Sequence, residues 1–374
     1  MKVVSGISVN VQPEQAVNEA CTKITANNPK LIIFFSDRLS FESYTQLLHK
    51  KFPETPLMGV CTYSSMSNAG YLHKGLQLVA FLDGVTVKTG AIHEISTNPQ
   101  KYDRPLREYA AELGEQPDEQ RKTVCVLFNT AGLGAEELVL DTLQNAFADF
   151  NIPVFGGSAS SDIVAHGYVS LNGLVLEESS IYALITFEDD IFMRYQENMF
   201  KAEDKCFRVT RSDLESRTIY ELDGHPVSDV LCRALKVSKE ELPEALKVHP
   251  LGRVSNNNLF ISEITQVNDD GSITTYCRTF NQTEVVLLDL GDFREEMRTT
   301  IDDINEFFSE VEFSLLVNCF SRVKLYENRG WMDEFSSTFS RDLGQYIGLA
   351  SHGEQLDGYL LNLTLLVLAV GKPR

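Results

Sequence analysis

The stretch PKLIIFFSDRLSFESYTQLLHKKFPETPLMGVCTYSS, residues 29–65, decides the fold. Leu31 to Phe35 form an unbroken apolar run, which is typical of a strand that is buried on both faces. Ser40 can cap a helix, and apolar residues at helical spacing follow it. Pro56 then precedes a second apolar run, LMGVCT. We therefore predict a β-α-β unit with two parallel strands.

Two further stretches repeat this order of elements. Residues 123–162 predict a strand, a helix from about Ala135 to Phe147, and a second strand that enters Gly156-Gly157-Ser158. Residues 313–355 predict a strand and then a helix in which apolar residues recur every four positions as far as Ile347. We expect that helix to end at Gly348.

Each copy closes in the same way, with a small-residue loop, a Gly-Tyr pair and further strand residues. The Gly-Tyr pairs are residues 70–71, 167–168 and 358–359. Asp83-Gly84 and Asn172-Gly173 follow in the first two copies and predict hairpins. We interpret the chain as a divergent internal duplication.

A region of different pattern separates the second copy from the third. It begins with a strand, a turn at Asp223-Gly224 and a helix, and Asp270-Gly271 predicts a hairpin further on. The chain has 374 residues, which is longer than chains that fold around a single hydrophobic core usually are. We predict a mixed α/β fold with parallel strands at the core. Its two domains cover residues 1–217 and 218–374 and consist of β-α-β-plus-hairpin repeats.

Charge and composition argue against two classes of partner. The 33 Lys and Arg residues against 53 Asp and Glu residues give a net charge of -20, which repels nucleic acid and anionic lipid alike. No signal peptide or membrane-spanning run is recognisable, and the seven cysteines include no CxxC pair. We expect a cytoplasmic protein with reduced thiols. The sequence leaves a homodimer open.

Parallel strands place their loops at one edge of a sheet, and ligands of open α/β sheets bind there. The loops concerned are residues 61–68, 156–162 and 351–356. The glycines at 156 and 157, with Ser158, permit either a structural turn or the close approach of a small ligand. We predict a binding site at these loops.

The third loop lies in GLASHGEQLDGYLLNLT, residues 348–364, where polar groups adjoin an apolar run. Asn362 and Thr364 either bind a ligand or satisfy the loop backbone. Arg322, after the preceding strand, can bind a carboxylate ligand or pair with Glu354 on the neighbouring strand. The motifs of a nucleophile elbow, a phosphate loop and a zinc hydrolase are missing from the sequence. This chemistry indicates binding.

Three histidines, His73, His166 and His352, lie within or beside the Gly-Tyr segments that follow the candidate loops. They can therefore converge on one ligand. For the other histidines, including His249, which precedes Pro250, we predict surface or structural roles.

Five segments in this order resemble the FIST proteins, whose FIST N and FIST C regions would together cover nearly the whole chain. The segments are GVCTYSS at 59–65, VFGGSASSD at 154–162, ELDGHPVSDVL at 221–231, NCFSR at 318–322 and GLASHGEQLDGYLLNLT at 348–364. The last is the most specific, because Gly353, Glu354, Gln355, Asn362 and Thr364 match the pattern of the family.

The resemblance implies a sensory protein of prokaryotic signalling that binds a small ligand, such as an amino acid. Arg322 would meet the carboxylate of that ligand and Glu354 its ammonium group. Because no kinase or cyclase segment follows, the resemblance implies regulation of a separate partner, such as a histidine kinase.

One branch of the family implies a different ligand, because it senses nitric oxide through haem with a His ligand to the iron. His352 stands where the family usually has an aromatic residue and is the first candidate for that ligand, with His166 and His73 as alternatives. A third hypothesis is an acid/base enzyme that uses Glu354 and His352. We predict that the protein is not an enzyme.

Overall fold

The computed structural model of the chain describes residues 1–24, 28–114, 122–163, 167–255 and 258–374. Among these residues, no helix combines the length and the apolar character that a membrane crossing needs. The helices are α1 Pro13–Ala20, α2 Phe41–Lys51, α3 Asp103–Leu113, α4 Glu136–Phe147, α5 Val227–Leu235, α6 Leu242–Ala245, α7 Phe293–Phe307, α8 Phe320–Arg329 and α9 Met332–Asp342, with a 3-10 helix at Pro99–Tyr102.

The strands are β1 Lys2–Ser8, β2 Leu31–Ser36, β3 Leu57–Cys61, β4 Ser65–Ser67, β5 Gly70–Leu72, β6 Leu76–Asp83, β7 Val85–His93, β8 Thr123–Asn129, β9 Val154–Ser158, β10 Val169–Leu171, β11 Leu174–Leu176, β12 Ser179–Phe187, β13 Ile191–Asn198, β14 Phe200–Asp213, β15 Thr218–Leu222, β16 His225–Pro226, β17 Leu251–Ser255, β18 Asn258–Ser262, β19 Ile264–Val267, β20 Ile273–Thr275, β21 Glu284–Leu290, β22 Phe308–Cys319, β23 Tyr346–Ser351, β24 Glu354–Leu356, β25 Tyr359–Leu361 and β26 Thr364–Pro373.

Each predicted β-α-β unit contains one parallel strand pair. β2 lies parallel to β3, β8 to β9, and β22 to β23. The connecting helices are α2 in the first unit, α4 in the second, and α8 with α9 in the third. The mixed α/β class with parallel pairs is therefore confirmed.

The three copies share a longer order of elements than the sequence suggested. An outer strand and a helix precede each parallel pair, and a short hairpin and a closing strand follow it. The closing strands β6, β12 and β26 each lie between the first parallel strand of their copy and the outer strand, which is β1, β7 or β13. The three six-stranded sheets are therefore built on one plan.

The hairpins pair with strands of other copies. The β4–β5 hairpin of the first copy pairs with β23 of the third, and the β24–β25 hairpin of the third pairs with β9 of the second. The β10–β11 hairpin of the second copy pairs with β3 of the first. Each six-stranded sheet therefore combines two copies, and the three copies form a closed cycle of exchanges.

The chain forms two compact units. The first, which we call the repeat unit, comprises Met1–Gln196, Arg298–Leu360 and Leu365–Arg374. The second, the inserted unit, comprises Glu197–Met297 and Leu361–Thr364. The predicted division at residues 217 and 218 does not coincide with these units, because the third copy shares sheets with the first two.

The core of the repeat unit is apolar and rich in aromatic rings. Phe34 of β2 stacks on Phe41 of α2 with ring centroids 5.6 Å apart. Phe81 of the first copy meets Phe313 of the third edge to face at 5.4 Å. The apolar runs of the predicted strands are therefore buried between sheets and helices, as their composition indicates.

The inserted unit contains a separate sheet, in the order β18-β17-β21-β14-β15-β20-β19, with β16 paired to β15. Val230 and Leu231 of α5 are buried in a core with apolar residues of that sheet. The predicted turns are confirmed, because Asp223-Gly224 joins β15 to the antiparallel β16 and Asp270-Gly271 lies between the antiparallel β19 and β20.

One predicted hairpin is wrong and one is confirmed. β6 pairs with β1 on one side and with β2 on the other, so neither of its edges is open to β7. The Asp83-Gly84 turn instead connects two sheets, because β7 pairs with β12. Asn172-Gly173 does join the antiparallel strands β10 and β11, with positive φ angles of 48° and 87°.

The predicted helix end at Gly348 is also wrong. α9 ends at Asp342, and Ile347 lies inside β23. The buried residues Leu343 and Ile347 are four positions apart, a spacing that fits one face of a helix and also one face of a strand. The spacing of the apolar residues alone could not distinguish a helix from a strand at this position.

We expect Gly156→Ala to lower the free energy of unfolding by about 1–3 kcal/mol, because a Cβ atom there would lie 1.9 Å from the backbone oxygen of Leu127. Gly358→Ala is the matched control. Its Cβ would meet only the flexible end of the exposed Gln144 side chain, at 2.7 Å. Urea unfolding measures both variants. Equal stability of the two would contradict the close approach at Gly156.

Candidate functional site

The three predicted loops converge in the repeat unit. The Tyr63 backbone N–H donates to Ser160 Oγ at 2.9 Å, and the Ser160 hydroxyl donates to the backbone oxygen of Ala350. The Thr62 hydroxyl donates to the same oxygen at 2.9 Å. The carboxyl ends of β3, β9 and β23 therefore meet, as the rule for parallel sheets predicts.

Several predicted site residues bond to one another at this junction. Ser158 N–H donates to the Gly353 oxygen at 3.1 Å, and His352 N–H donates to the Ser158 oxygen at 3.2 Å. Gln355 Nε2 donates to Ser158 Oγ at 3.0 Å, and that hydroxyl donates to Glu136 Oε1 at 3.3 Å. These residues hold β9 against β24.

The two glycines at this junction serve the pairing of strands. Gly156 lies opposite Gln355, and Gly157 lies opposite Glu354. A Cβ atom on Gly157 would lie 2.4 Å from Ser351 Oγ and 2.6 Å from Val317 Cγ1. At both positions, neighbouring protein atoms already fill the space that a side chain would take.

Arg322 lies in the first turn of α8, which directly follows β22, and its side chain is fully buried. Its Nη2 donates to the Tyr326 hydroxyl, one helical turn further on. Glu354 on β24 is also fully buried. Neither side chain is therefore accessible to a ligand in this conformation. Pairing between them and ligand binding by Arg322 stay predictions.

Asn362 and Thr364 belong to the inserted unit, whereas the other predicted site residues in the described chain belong to the repeat unit. Asn362 Nδ2 donates to the Leu361 oxygen at 2.8 Å, and Cys277 Sγ donates to Asn362 Oδ1 at 2.9 Å. The Asn362 amide thus bonds to protein groups within its own unit, and its two predicted roles stay predictions. Thr364 is fully buried.

A partly exposed group of side chains lies beside the junction. His73 meets Tyr63 at 4.8 Å between ring centroids, Tyr63 meets Phe320 at 5.0 Å, and Phe320 stacks on His352 at 4.5 Å. Lys324 and Glu327 follow Phe320 on the same face of α8. We call this group the strand-end cluster: Tyr63, His73, Phe320, Lys324, Glu327 and His352.

Glu327 is the centre of the polar contacts in the strand-end cluster. Its carboxylate accepts hydrogen bonds from the hydroxyls of Tyr63, at 3.2 Å, and Tyr71. Lys324 Nζ lies 3.2 Å from Glu327 Oε2 and 4.1 Å from the centroid of the Tyr63 ring. His73 Nε2 lies 3.3 Å from Glu327 Oε1. The cluster thus combines aromatic faces with one pair of opposite charges.

Burial shifts the ionisation of this cluster. It raises the pKa of Glu327 and, together with the Glu327 charge, raises the pKa of Tyr63 to about 12. Burial also lowers the pKa of His73, and it lowers the pKa of His352 to about 4. The His352 imidazole is therefore neutral at pH 7.

The two described candidates for a haem ligand, His352 and His73, do not fit the iron as they are placed. His352 Nε2 is buried, and its ring stacks on Phe320. One face of the His352 ring is therefore occupied, and the usual iron-binding atom is enclosed. His73 Nε2 lies next to the Glu327 carboxylate, and the His73 ring also forms a hydrogen bond with the backbone of Tyr63. The third candidate, His166, lies outside the described residues.

Sequence reasoning missed the half of the strand-end cluster that lies on α8. Phe320, Lys324 and Glu327 recur at helical spacing, but residues 320–329 were not recognised as a helix. It also missed Asn318, which is fully buried on β22 and whose amide Nδ2 and Oδ1 have no hydrogen-bond partner among the described residues. NCFSR at 318–322 was the available signal. A buried amide of this kind is costly and needs an explanation other than core packing.

Family models match most of the chain. The FIST N domain matches residues 30–225, and the FIST C domain matches residues 228–357. The chain belongs to the FIST family. FIST domains are sensory domains of signal transduction that bind small ligands. Asn362 and Thr364 lie beyond the FIST C match.

Other comparisons are less informative about this FIST protein. No curated protein matches the chain. A crystal structure of chorismatase at 1.08 Å resolution is similar over 99% of this chain and 98% of that chain, with 7% sequence identity and a TM-score of 0.36. That likeness is too distant to inform the chemistry of the site.

We expect the buried His352 to make folding sensitive to acid. The unfolded chain takes up a proton at this residue near pH 6.5, whereas the folded chain does so only near pH 4. The contribution of His352 to the free energy of unfolding is therefore fully present above about pH 6.5. It falls by up to about 3 kcal/mol as the pH drops to about 4. Urea unfolding across this range measures the loss.

The matched variant is His352→Phe, which keeps an aromatic ring against Phe320 and removes the titrating group. We expect it to lose less stability than the wild type over the same pH range. Parallel pH curves for the two proteins would contradict a neutral, buried His352.

Proposed function

We propose that this FIST protein senses a small ligand at the strand-end cluster and regulates a separate signalling protein, such as a histidine kinase. The observation that supports this site is the position of the cluster, at the carboxyl ends of the parallel strands and at the surface of the repeat unit. The His73 and Lys324 side chains are 47% and 41% exposed, so a ligand can reach them. Family membership supports the sensory role.

The chemistry of the cluster favours a small zwitterion with an apolar part, such as an amino acid. Lys324 can receive a carboxylate and Glu327 an ammonium group, while the rings of Tyr63 and Phe320 provide an apolar surface. The pair predicted from the sequence, Arg322 and Glu354, is fully buried and requires an opening of the protein before a ligand can reach it. The accessible pair therefore replaces it in our proposal.

Helix α8 can carry the signal. Phe320, Lys324 and Glu327 lie on its ligand side, whereas Arg322 and Tyr326 are buried beneath it. A ligand that draws Lys324 or Glu327 away from Tyr63, which lies outside α8, binds one position of α8 better than another. Differential affinity of about 1–3 kcal/mol is enough to shift the population of two states. The shifted helix would alter the surface that the partner recognises.

The other expectations have less support from this geometry. Haem and nitric-oxide sensing and the identity of the partner stay predictions of the family resemblance. The cytoplasmic location stays a prediction from the composition of the sequence. An acid/base enzyme built on Glu354 and His352 is disfavoured, because a histidine with a pKa of about 4 is a weak base at neutral pH. A family of sensory domains also gives no support to an enzyme.

Thermal unfolding with a panel of amino acids and small carboxylates tests the proposal. We expect one class of compound to stabilise the wild type by about 2.7 kcal/mol at a concentration of 100 times its Kd. Lys324→Met and Glu327→Gln should abolish this effect. They remove the two charges that we assign to the ligand.

Lys88→Met is the matched control in the same unit. Lys88 is 38% exposed, pairs with Glu112 and lies over the ring of Tyr109, much as Lys324 pairs with Glu327 over Tyr63. This variant should keep the full ligand response. An equal loss in Lys88→Met, or an undiminished response in Lys324→Met, would contradict the assigned site.

A further inference from the structure

Three side chains of the inserted unit place metal-ligand atoms together, and none of them belongs to the strand-end cluster. Glu203, His249 and Asp289 each offer one such atom, and the three atoms lie within 4.8 Å of one another. His249 Nδ1 is 2.6 Å from Asp289 Oδ1. One imidazole nitrogen and two carboxylate oxygens at this spacing can surround a single ion.

The backbone explains how Glu203 reaches the other two residues. β14 and β21 pair regularly from Phe200 to Ala202, and the register then breaks until Cys206. Residues 203–205 form the resulting bulge. Extra residues within a strand change the direction of its side chains, and such bulges are enriched next to functional sites. Without the bulge, Glu203 would follow the alternation of β14.

The other two residues are also held by backbone hydrogen bonds. Asp289 lies on β21, opposite Lys201 of β14. The His249 N–H donates to the Ala245 oxygen at 3.0 Å, and the next residue, Pro250, accepts a bond from Leu288 N–H at 3.0 Å. The three side chains are therefore presented by segments that are fixed relative to one another.

We propose that Glu203, His249 and Asp289 bind one divalent transition-metal ion, such as Zn²⁺, Mn²⁺ or Co²⁺. An imidazole ligand favours these ions over Mg²⁺ and Ca²⁺, which prefer oxygen ligands alone. The two carboxylates supply the negative charge that a divalent ion requires. Asp289 is 52% exposed, so the remaining coordination positions are open to water or to a ligand.

Lys205, the last residue of the bulge, competes with the ion. Its Nζ lies 2.6 Å from Glu203 Oε2. A bound metal replaces this ammonium group at the carboxylate or shares the carboxylate with it. Removing the Lys205 charge should therefore strengthen metal binding, an effect that a purely structural ion pair between Lys205 and Glu203 does not predict.

Titration of the full chain with Co²⁺ tests the site, because its visible spectrum reports the type of ligand. We expect one tight Co²⁺ per chain, with the absorption of nitrogen and oxygen ligation. Glu203→Gln, His249→Gln and Asp289→Asn should each weaken binding at least about tenfold, as expected for lost metal ligands. Lys205→Met should bind more tightly than the wild type.

Asp204→Asn is the matched control, because Asp204 is the exposed acid next to Glu203 on the same bulge. It should bind like the wild type. Thiolate charge-transfer absorption that disappears in Cys206→Ser would overturn the proposal, since Cys206 is an exposed thiol three residues from Glu203. The absence of tight binding, or equal weakening in Asp204→Asn and Glu203→Gln, would overturn it too.

Should Asp289→Asn fail to fold, as judged by circular dichroism, Glu203→Gln and Lys205→Met still decide between the outcomes. Both residues lie on the bulge and outside the buried core of the inserted unit. They should shift the affinity for Co²⁺ in opposite directions. Equal affinities in these two variants would overturn the metal site, and neither result depends on the ligand of the strand-end cluster.

Discussion

The pairing of each hairpin with a strand of another copy is the constraint on which the repeat unit depends. The second strand of a parallel pair has one edge covered by its partner, and the other edge carries N–H and C=O groups that need hydrogen bonds. In β3, β9 and β23 that edge is filled by a hairpin from a different copy. No copy can satisfy its own sheet, so the three copies have to fold as one unit.

The same exchange determines where the candidate site lies. Each hairpin leaves its copy at the carboxyl end of a parallel strand and enters the neighbouring sheet there. The loops before the hairpins are thus drawn together. Ser160 bonds to Tyr63 in the first loop and to Ala350 of β23, next to the third loop. Much of the polar character of these loops serves this junction. The accessible chemistry lies next to it, on α8 and Tyr63, where rings and opposite charges remain at the surface.

The sequence predicted those features that have a local cause. Apolar runs marked the parallel strands, and Asn172-Gly173 marked a turn whose positive φ angles suit those residues. It could not predict the pairing of hairpins between copies, because strand pairing depends on contacts distant in the chain. Ile347 fitted a helix and a strand equally well. Lys324 and Glu327 became site residues only when α8 placed them beside Tyr63, a residue far away in sequence.

Hydrogen exchange of the native protein, followed by mass spectrometry, tests the interlocked repeat most directly. We expect the hairpin segments, residues 65–72, 169–176 and 354–361, to exchange with the same free energy as strands β3, β9 and β23. They should then open only when the whole repeat unit unfolds. Early, independent hydrogen exchange of the hairpins, with the parallel strands still protected, would contradict the claim that the pairing of hairpins between copies holds the three copies together.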